Sequence, residues 1–305
     1  MASVLSAKHY HDEEAAFAHV EANVWPNGPV CPHCGGVERI SKMQGNATRL
    51  GLHKCYQCRR QFTVRMGTIF ESSHVPLHIW LQAIFFVAGS KKGISSNQLH
   101  RTLGVTLKTA WFMSHRIREA MRTGGLAPMG GIVEVDETYI GRLPNSGNPI
   151  GGYQHKMKVL SLVSRGTGEA RSVVVNQVTA DTVLPIVKAN IAAEAHVMTD
   201  SHRVYGKIIP QNFANHSVIR HEFNHYAEGI VYTNTVEGFF SIFKRGMRGV
   251  YQFCSEKHLH RYLAEFDFRY SNREGTGCND EDRASRLLSG IVGKRLTYQT
   301  ASARA

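Results

Sequence analysis

The 305-residue sequence predicts an α/β protein, with a mixed sheet flanked by helices behind a small cysteine-rich module and a helical segment. Three observations predict it. Four of the cysteines fall as two C-x-x-C pairs within the first 70 residues. Residues 72–121 carry apolar side chains at helical spacing. From Gly131 onward, apolar runs of strand length alternate with helical patterns. The expected divisions are therefore 1–70 (an N-terminal helix and the cysteine module), 72–121, a Gly-rich linker over 122–131, a main domain over 132–274, and a polar tail over 275–305.

Composition narrows the class. An apolar fraction of 42% with 20% charged residues describes a soluble globular chain. The formal charge of +12 points to a polyanionic partner, most often nucleic acid, because each neutralised phosphate releases counterions. The N-terminus, "MASVLSAKHYHDEE", is polar where a secretory apolar stretch would stand, and "HIWLQAIFFVAG" falls short of the roughly 20 residues that span a bilayer. The expected location is cytoplasmic, with the nucleoid. Six cysteines in such a chain argue for thiolates or metal rather than disulfides.

In the first segment, "CPHCGG" and "KCYQC" give Cys31-x-x-Cys34 and Cys55-x-x-Cys58. Two such knuckles at this separation fit the four-thiolate tetrahedral site of a zinc ribbon, with short antiparallel strands between them. Four protein ligands leave no open position, so one structural zinc ion is expected here and not a catalytic one. His33 and His53 lie nearby without being needed, and Cys254 and Cys278 read as ordinary thiols.

In the second segment, Leu77, Trp80, Leu81, Ile84 and Phe85 form a buried stripe. A helix capped by Ser95 or Ser96 then ends at Leu103-Gly104, and a basic helix starts near Thr106. Helix, short Gly-containing turn and basic helix is the outline of a helix-turn-helix. Lys108 and Thr109 are candidates for groove contact, Arg116 and Arg118 for DNA binding, and Trp111 and Ile117 for the core.

In the main domain, "GGIVEVDETYIG" alternates as a strand around Asp136, and strands follow at "KVLSLVSR" and "ARSVVVNQV". A helix, "ADTVLPIVKANI", precedes the strand "AHVMTD" that ends at Asp200. "TNTVEGFFSIFKRGMRG" reads as a helix carrying Glu237, with Lys244 on the same face. Three strands, helix, strand, further units and an acid-bearing helix is the order of a ribonuclease H-like fold with a mixed five-stranded sheet. Asp136 would lie on its first central strand, Asp200 at the end of the strand beside it, and Glu237 on a helix above. Three carboxylates converging there suit two magnesium ions, hard cations that clamp the entering and leaving oxygens of a displacement at phosphorus. Glu134 and Glu137 flank Asp136 and are expected on the opposite face.

The wording "WPNGPVCPHCGG", "KTAWFMSHRIREAM", "VEVDETYIGR", "VMTDSHRVY", "TNTVEGFFSIFKRG" and "LHRYLAEFDFRYSNR" resembles insertion-sequence DDE transposases with an N-terminal zinc ribbon and an ISXO-like catalytic domain. The resemblance covers nearly the whole chain. It implies binding to terminal inverted repeats, hydrolytic nicking and transfer of the 3′-hydroxyl to target DNA. It also implies dependence on magnesium or manganese, and a homodimer or higher oligomer when two ends are paired. Asp136 and Asp200 match the family's first two acids. The third position falls on Glu237 or on Asn234, one turn earlier, and Glu237 is preferred because a carboxylate binds magnesium better than an amide. Lys244 matches a basic residue seven positions after the glutamate, and with Arg245 it is expected on DNA phosphate. A DNA-binding regulator whose catalytic domain has become inert is the alternative.

Other histidine patterns are read as decoys. "HEFNHY" (His221–Tyr226) contains H-E-x-x-H, but its β-branched start and Gly229 do not suit the helix that a zinc protease requires. His225 alone is expected near the DNA-facing rim, from the resemblance. His258 and His260, near Tyr262, sit in a helical pattern that turns them about 200° apart, and so cannot form a shared metal site.

Overall fold

The computed structural model describes residues 3–122, 124–125, 127–143, 152–219 and 232–297. The chain forms two compact units, one from residues 1–121 together with 279–305 and one from residues 122–278.

The first unit opens with helix α1 (Glu13–Val24), whose first turn is capped by the Asp12 carboxylate. Strands β1 (Ile40–Lys42), β2 (His53–Cys55) and β3 (Gln61–Phe62) form an antiparallel ribbon. Trp25 packs edge to face on His53 and Phe62, which stack on each other, and the three supply the core that so small a sheet otherwise lacks. Helix α2 (Leu77–Gly89) buries Leu77, Trp80, Leu81 and Ile84. The N-terminus of α2 has no side-chain cap of its own, because Pro76 stands there. Glu13 of α1 supplies one, accepting the N–H groups of Leu77 and His78 at 2.8 and 3.1 Å. Helix α3 (Ser96–Leu103) is capped by Ser95 and closed by left-handed Gly104 at φ 66°, and α4 (Leu107–Met121) follows.

The stretch expected as a polar tail carries a helix in its described part. Asn279 and Asp282 form a capping box for α9 (Asp280–Ser289), which buries Ala284, Leu287 and Leu288 and packs on α2. Beyond it, Lys294 donates to the Ala120 carbonyl at the end of α4. The apolar residues of this segment keep helical spacing but are few, so composition alone reads as polar.

The second unit is built on strands β4 (Ile132–Ile140), β5 (Met157–Ser164), β6 (Ala170–Val175), β7 (His196–Asp200) and β8 (Asn215–Ile219), ordered β6-β5-β4-β7-β8. The first three pair antiparallel, while β7 runs parallel to both β4 and β8. Helices α5 (Ala180–Asn190) and α6 (Arg203–Ile208) cover one face, where Val133, Val135, Leu160 and Val197 meet Val183, Val187 and Tyr205. Helices α7 (Asn234–Gly246) and α8 (Glu256–Ser271) cover the other, packing Phe239, Phe243 and Phe266 on Val159 and Val163. A π-helical turn, Met247–Tyr251, joins the two. On α8, the half-buried Asp267 accepts both the N–H and the hydroxyl of Ser172, which ties the edge strand β6 to the helix. The result is a mixed α/β unit whose five-stranded sheet is consistent with a ribonuclease H-like fold. Among the described residues, no helix is long and apolar enough to cross a membrane.

Candidate active site and metal centre

The two cysteine knuckles close on each other. The Sγ atoms of Cys31, Cys34, Cys55 and Cys58 all lie within 4.8 Å of one another, with Cys31–Cys58 at 3.7 Å and Cys34–Cys55 at 3.8 Å. Backbone N–H groups of Cys58 and Gln57 point at the Cys55 sulfur and pull its thiol down to about 7. Four soft sulfurs with amide support form a donor set for one tetrahedral zinc ion.

The acids of the second unit gather on the two central strands, where β7 ends beside the middle of β4. Val135 on β4 pairs with Thr199 on the parallel strand β7, and the next residue on each strand is an acid, Asp136 and Asp200. Burial pushes the Asp136 carboxyl up to about 8, and the charges of Glu137, Asp200 and Glu237 add to the shift. Burial also raises Glu137, with Asp200 adding, although the Tyr205 hydroxyl donates to it at 2.5 Å. Asp200 accepts the His202 N–H at 2.9 Å in the turn that starts α6. Among the described residues, the cysteine set is the one group whose ligand atoms close to within 4.8 Å. The carboxylates share a field without reaching that spacing.

Helix α7 brings in the remaining groups. Glu237 accepts from the Thr233 hydroxyl at 3.1 Å and is exposed, as is Asn234. Lys244 lies two turns further along. Burial and the charges of Arg248 and Lys156 lower its ammonium, while Asp136 raises it, so all four groups occupy one electrostatic neighbourhood. Arg245 is exposed and donates to Ser241.

The residue that sequence reasoning missed is Glu134. It lies two positions from Asp136 and so shares its face, contrary to the expectation; only Glu137 points the other way. Its side chain is fully buried and accepts from Arg165 Nε at 2.5 Å, the Thr235 hydroxyl at 2.7 Å and the Val236 N–H at 2.9 Å. Arg165 in turn stacks on Tyr232 and donates to its carbonyl. A carboxylate from the central strand thus caps the helix that carries Asn234, Glu237 and Lys244. The parity of "VEVD" signals the shared face, but the partners lie about a hundred residues away.

The proposed groove residues divide. Lys108 is exposed at the start of α4, and Thr109 is half-buried beside Thr106, which accepts its N–H at 3.2 Å. Arg116 and Arg118 are not available to a groove. Arg116 is 5% exposed and donates to the carbonyls of Ile69, Glu71 and Leu296. Arg118 is 1% exposed and donates to the Ser114 hydroxyl at 3.0 Å. Ile117 is core as expected, whereas Trp111 is half-buried against His115. His258 and His260 lie on α8, where Tyr262 is buried in the core. The "HEFNHY" motif, with His221 and His225, lies outside the described residues.

Comparison with known proteins agrees with this layout. Residues 11–61 match the transposase zinc-ribbon domain family, and residues 128–271 match the ISXO2-like transposase domain family. The chain is 28% identical over 265 residues to an uncharacterized protein in transposable element ISH50 of Halobacterium salinarum, covering 80% of this chain and 86% of that one. An uncharacterized transposase-like protein of Haemophilus influenzae is 31% identical over 103 residues, covering 34% of this chain and 81% of that one. Among solved structures, a chain of the simian T-cell lymphotropic virus intasome in complex with PP2A regulatory subunit B56 gamma shows 13% identity at a TM-score of 0.29. That match covers 55% of this chain and 63% of the other.

Proposed function

Because the chain belongs to the insertion-sequence transposases that carry an N-terminal zinc ribbon and an ISXO2-like transposase domain, we propose that it cuts the ends of its element and joins them to target DNA. The observation that carries this reading is the pair of acids on adjacent parallel strands, Asp136 and Asp200, with Glu237 near enough to raise the Asp136 carboxyl further. A cluster of acids whose charges raise the Asp136 carboxyl, made wholly of hard oxygen donors, suits magnesium or manganese.

Asp136, Asp200 and Glu237 would hold two such ions, with Asn234 as the alternative third ligand. When bound, the ions would supply Lewis acidity to both the entering and the leaving oxygen of an in-line displacement. Glu134 fixes the start of α7, and so fixes how far Glu237 stands from the strands. Lys244 and Arg245 contribute cationic groups for the phosphate on either side of the cut. In the first step a water oxygen bonds to phosphorus and the P–O3′ bond breaks. The water proton ends on the 3′ oxygen, leaving a 3′-hydroxyl and a 5′-phosphate. In the second, that hydroxyl oxygen bonds to a target phosphorus, and the displaced target oxygen takes its proton. The sheet is the ribonuclease H-like scaffold of this chemistry. Zinc holds the ribbon, and α3 with α4 forms a helix-turn-helix whose Lys108 and Thr109 face the terminal repeat. Synapsis of two ends takes at least two copies of the chain.

The test is incubation of the full chain with element-end DNA and Mg²⁺, scored for nicked and joined products. Asp136→Ala and Asp200→Ala are expected to abolish products while DNA binding persists. Products that survive both substitutions would sink the reading.

A further inference from the structure

A cleft of about 350 Å³ opens beside the carboxylates, between the end of β4 and the turn that follows α7. The sheet side contributes Tyr139, Arg142 and Lys156, and the turn side contributes Arg248, Phe253 and Cys254. The volume is within the usual range for a site that takes a small molecule, roughly 300–1,000 Å³. It adjoins the site already described: Arg248 and Lys156 act on Lys244, Glu137 and then Asp136 act on the Tyr139 hydroxyl, and Tyr139 stands three residues beyond Asp136 on β4. The proposed chemistry uses none of the groups that line it.

Two features of the lining stand out. Phe253 is 78% exposed, more than any other large apolar side chain among the described residues. It is held there by a strained backbone. Gln252 sits at φ 60° and ψ −46°, and the Phe253 N–H donates to the Tyr251 carbonyl at 2.6 Å, a γ-turn of the rare positive-φ kind. Tyr251 is itself anchored. Its hydroxyl donates to the buried Glu265, and its ring packs against Tyr262 and Phe266. The phenyl ring is therefore mounted on a fixed support and pointed at water. Across the cleft, Tyr139 stacks on Tyr153 with centroids 4.5 Å apart, and the Lys156 ammonium lies 5.0 Å from the Tyr153 ring.

Cations beside exposed aromatic faces are the complement of a nucleotide, which offers a phosphate and a flat base. An apolar peptide would have no use for three basic side chains, and a free phosphate none for a bare phenyl ring. We propose that the cleft receives one nucleotide extruded from the DNA beside the cut, with its base against Phe253 and its phosphate between Lys156 and Arg248. The strand would be anchored there while the adjacent phosphate lies on the carboxylates. Extrusion costs unstacking, which the aromatic contact offsets. The proposal rests on the reading of the chain as a DNA-cutting enzyme.

The test uses the full chain with Mg²⁺ and a duplex spanning the junction between the element's end and its flanking DNA. Phe253→Ala, at an exposed position, is expected to slow cutting roughly ten-fold, the scale of one lost base–aromatic stack. Phe253→Trp should retain the wild-type rate. A series of duplexes, each with one abasic nucleotide near the cut, should contain one that restores the rate of Phe253→Ala, because no base then has to be unstacked. Cutting by Phe253→Ala at the wild-type rate would overturn the proposal. So would a defect that no abasic position relieves, or a change in oligomeric mass caused by Phe253→Ala, which would make the ring a protein contact. A wild-type chain as inactive as Asp136→Ala would instead overturn the underlying reading, and the proposal with it.

Discussion

The Glu134 carboxylate accepts the backbone N–H of Val236 at 2.9 Å, so a fully buried acid on the central strand holds the first turn of α7. The same carboxylate pairs with Arg165, so its removal takes the counter-charge from a largely buried cation, which keeps the Tyr232 carbonyl, and the acceptor from a helix start. Glu134→Ala is expected to destabilise the protein by about 3–5 kcal/mol, the scale of breaking a buried pair from one side. Glu134→Gln, which keeps an acceptor for Val236, should lose less. Denaturant unfolding followed by circular dichroism checks the order, and equal loss in both variants would count against the capping role.

Asp136 makes a prediction of unusual sign. Its folded carboxyl sits near 8, above the ordinary carboxylate range, so the folded state binds this proton more tightly than the unfolded state. Its contribution to stability is therefore full at low pH and is lost as pH rises towards 8. In buffer without divalent cations, Asp136→Asn should be more stable than the wild type at pH 8, with the gap closing near pH 4. Mg²⁺ at pH 8 should raise the melting temperature of the wild type and leave that of Asp136→Asn little changed. Thermal scans across pH with and without Mg²⁺ decide it.

The ribbon should hold one zinc ion per chain. Cys31→Ser or Cys55→Ser is expected to abolish zinc in metal analysis of freshly purified protein. It should also destabilise the three-stranded sheet, because metal binding and folding are coupled in so small a module.

Lys108 and Arg116 should separate by assay, though both are basic and on α4. Lys108→Ala is expected to weaken DNA binding and to lower the salt dependence of affinity by about one unit of slope. Arg116→Ala should cost about 2 kcal/mol or more of stability, since it strands the buried Ile69 carbonyl and its neighbours. Filter-binding titrations over a salt series, beside unfolding curves, distinguish the two.

What could be read from the sequence was what is local. The cysteine knuckles are spaced along the chain as they sit in space, and the strand around Asp136 alternates visibly, so both were legible before any fold was known. Arg116 and Arg118 show the limit. A basic side chain on a helix reads as a surface group, and only the carbonyls of Ile69, Glu71 and Leu296 reveal Arg116 as buried. Glu134 stayed hidden for a related reason, since its meaning depends on a helix about a hundred residues later. Helix α9 was masked by composition, its few apolar residues being outnumbered by the polar ones that cap it.

The first unit takes its strands and its first four helices from early in the chain, but α9 comes from near the other end. On the ribosome, residues 122–278 must be made in between, which takes on the order of ten seconds. For that interval α2 has no α9 to cover it. The first unit therefore completes its core only after the five-stranded sheet of the second has had time to form. A chain interrupted by a late nonsense codon would then emerge with that sheet intact and its first-made module unfinished.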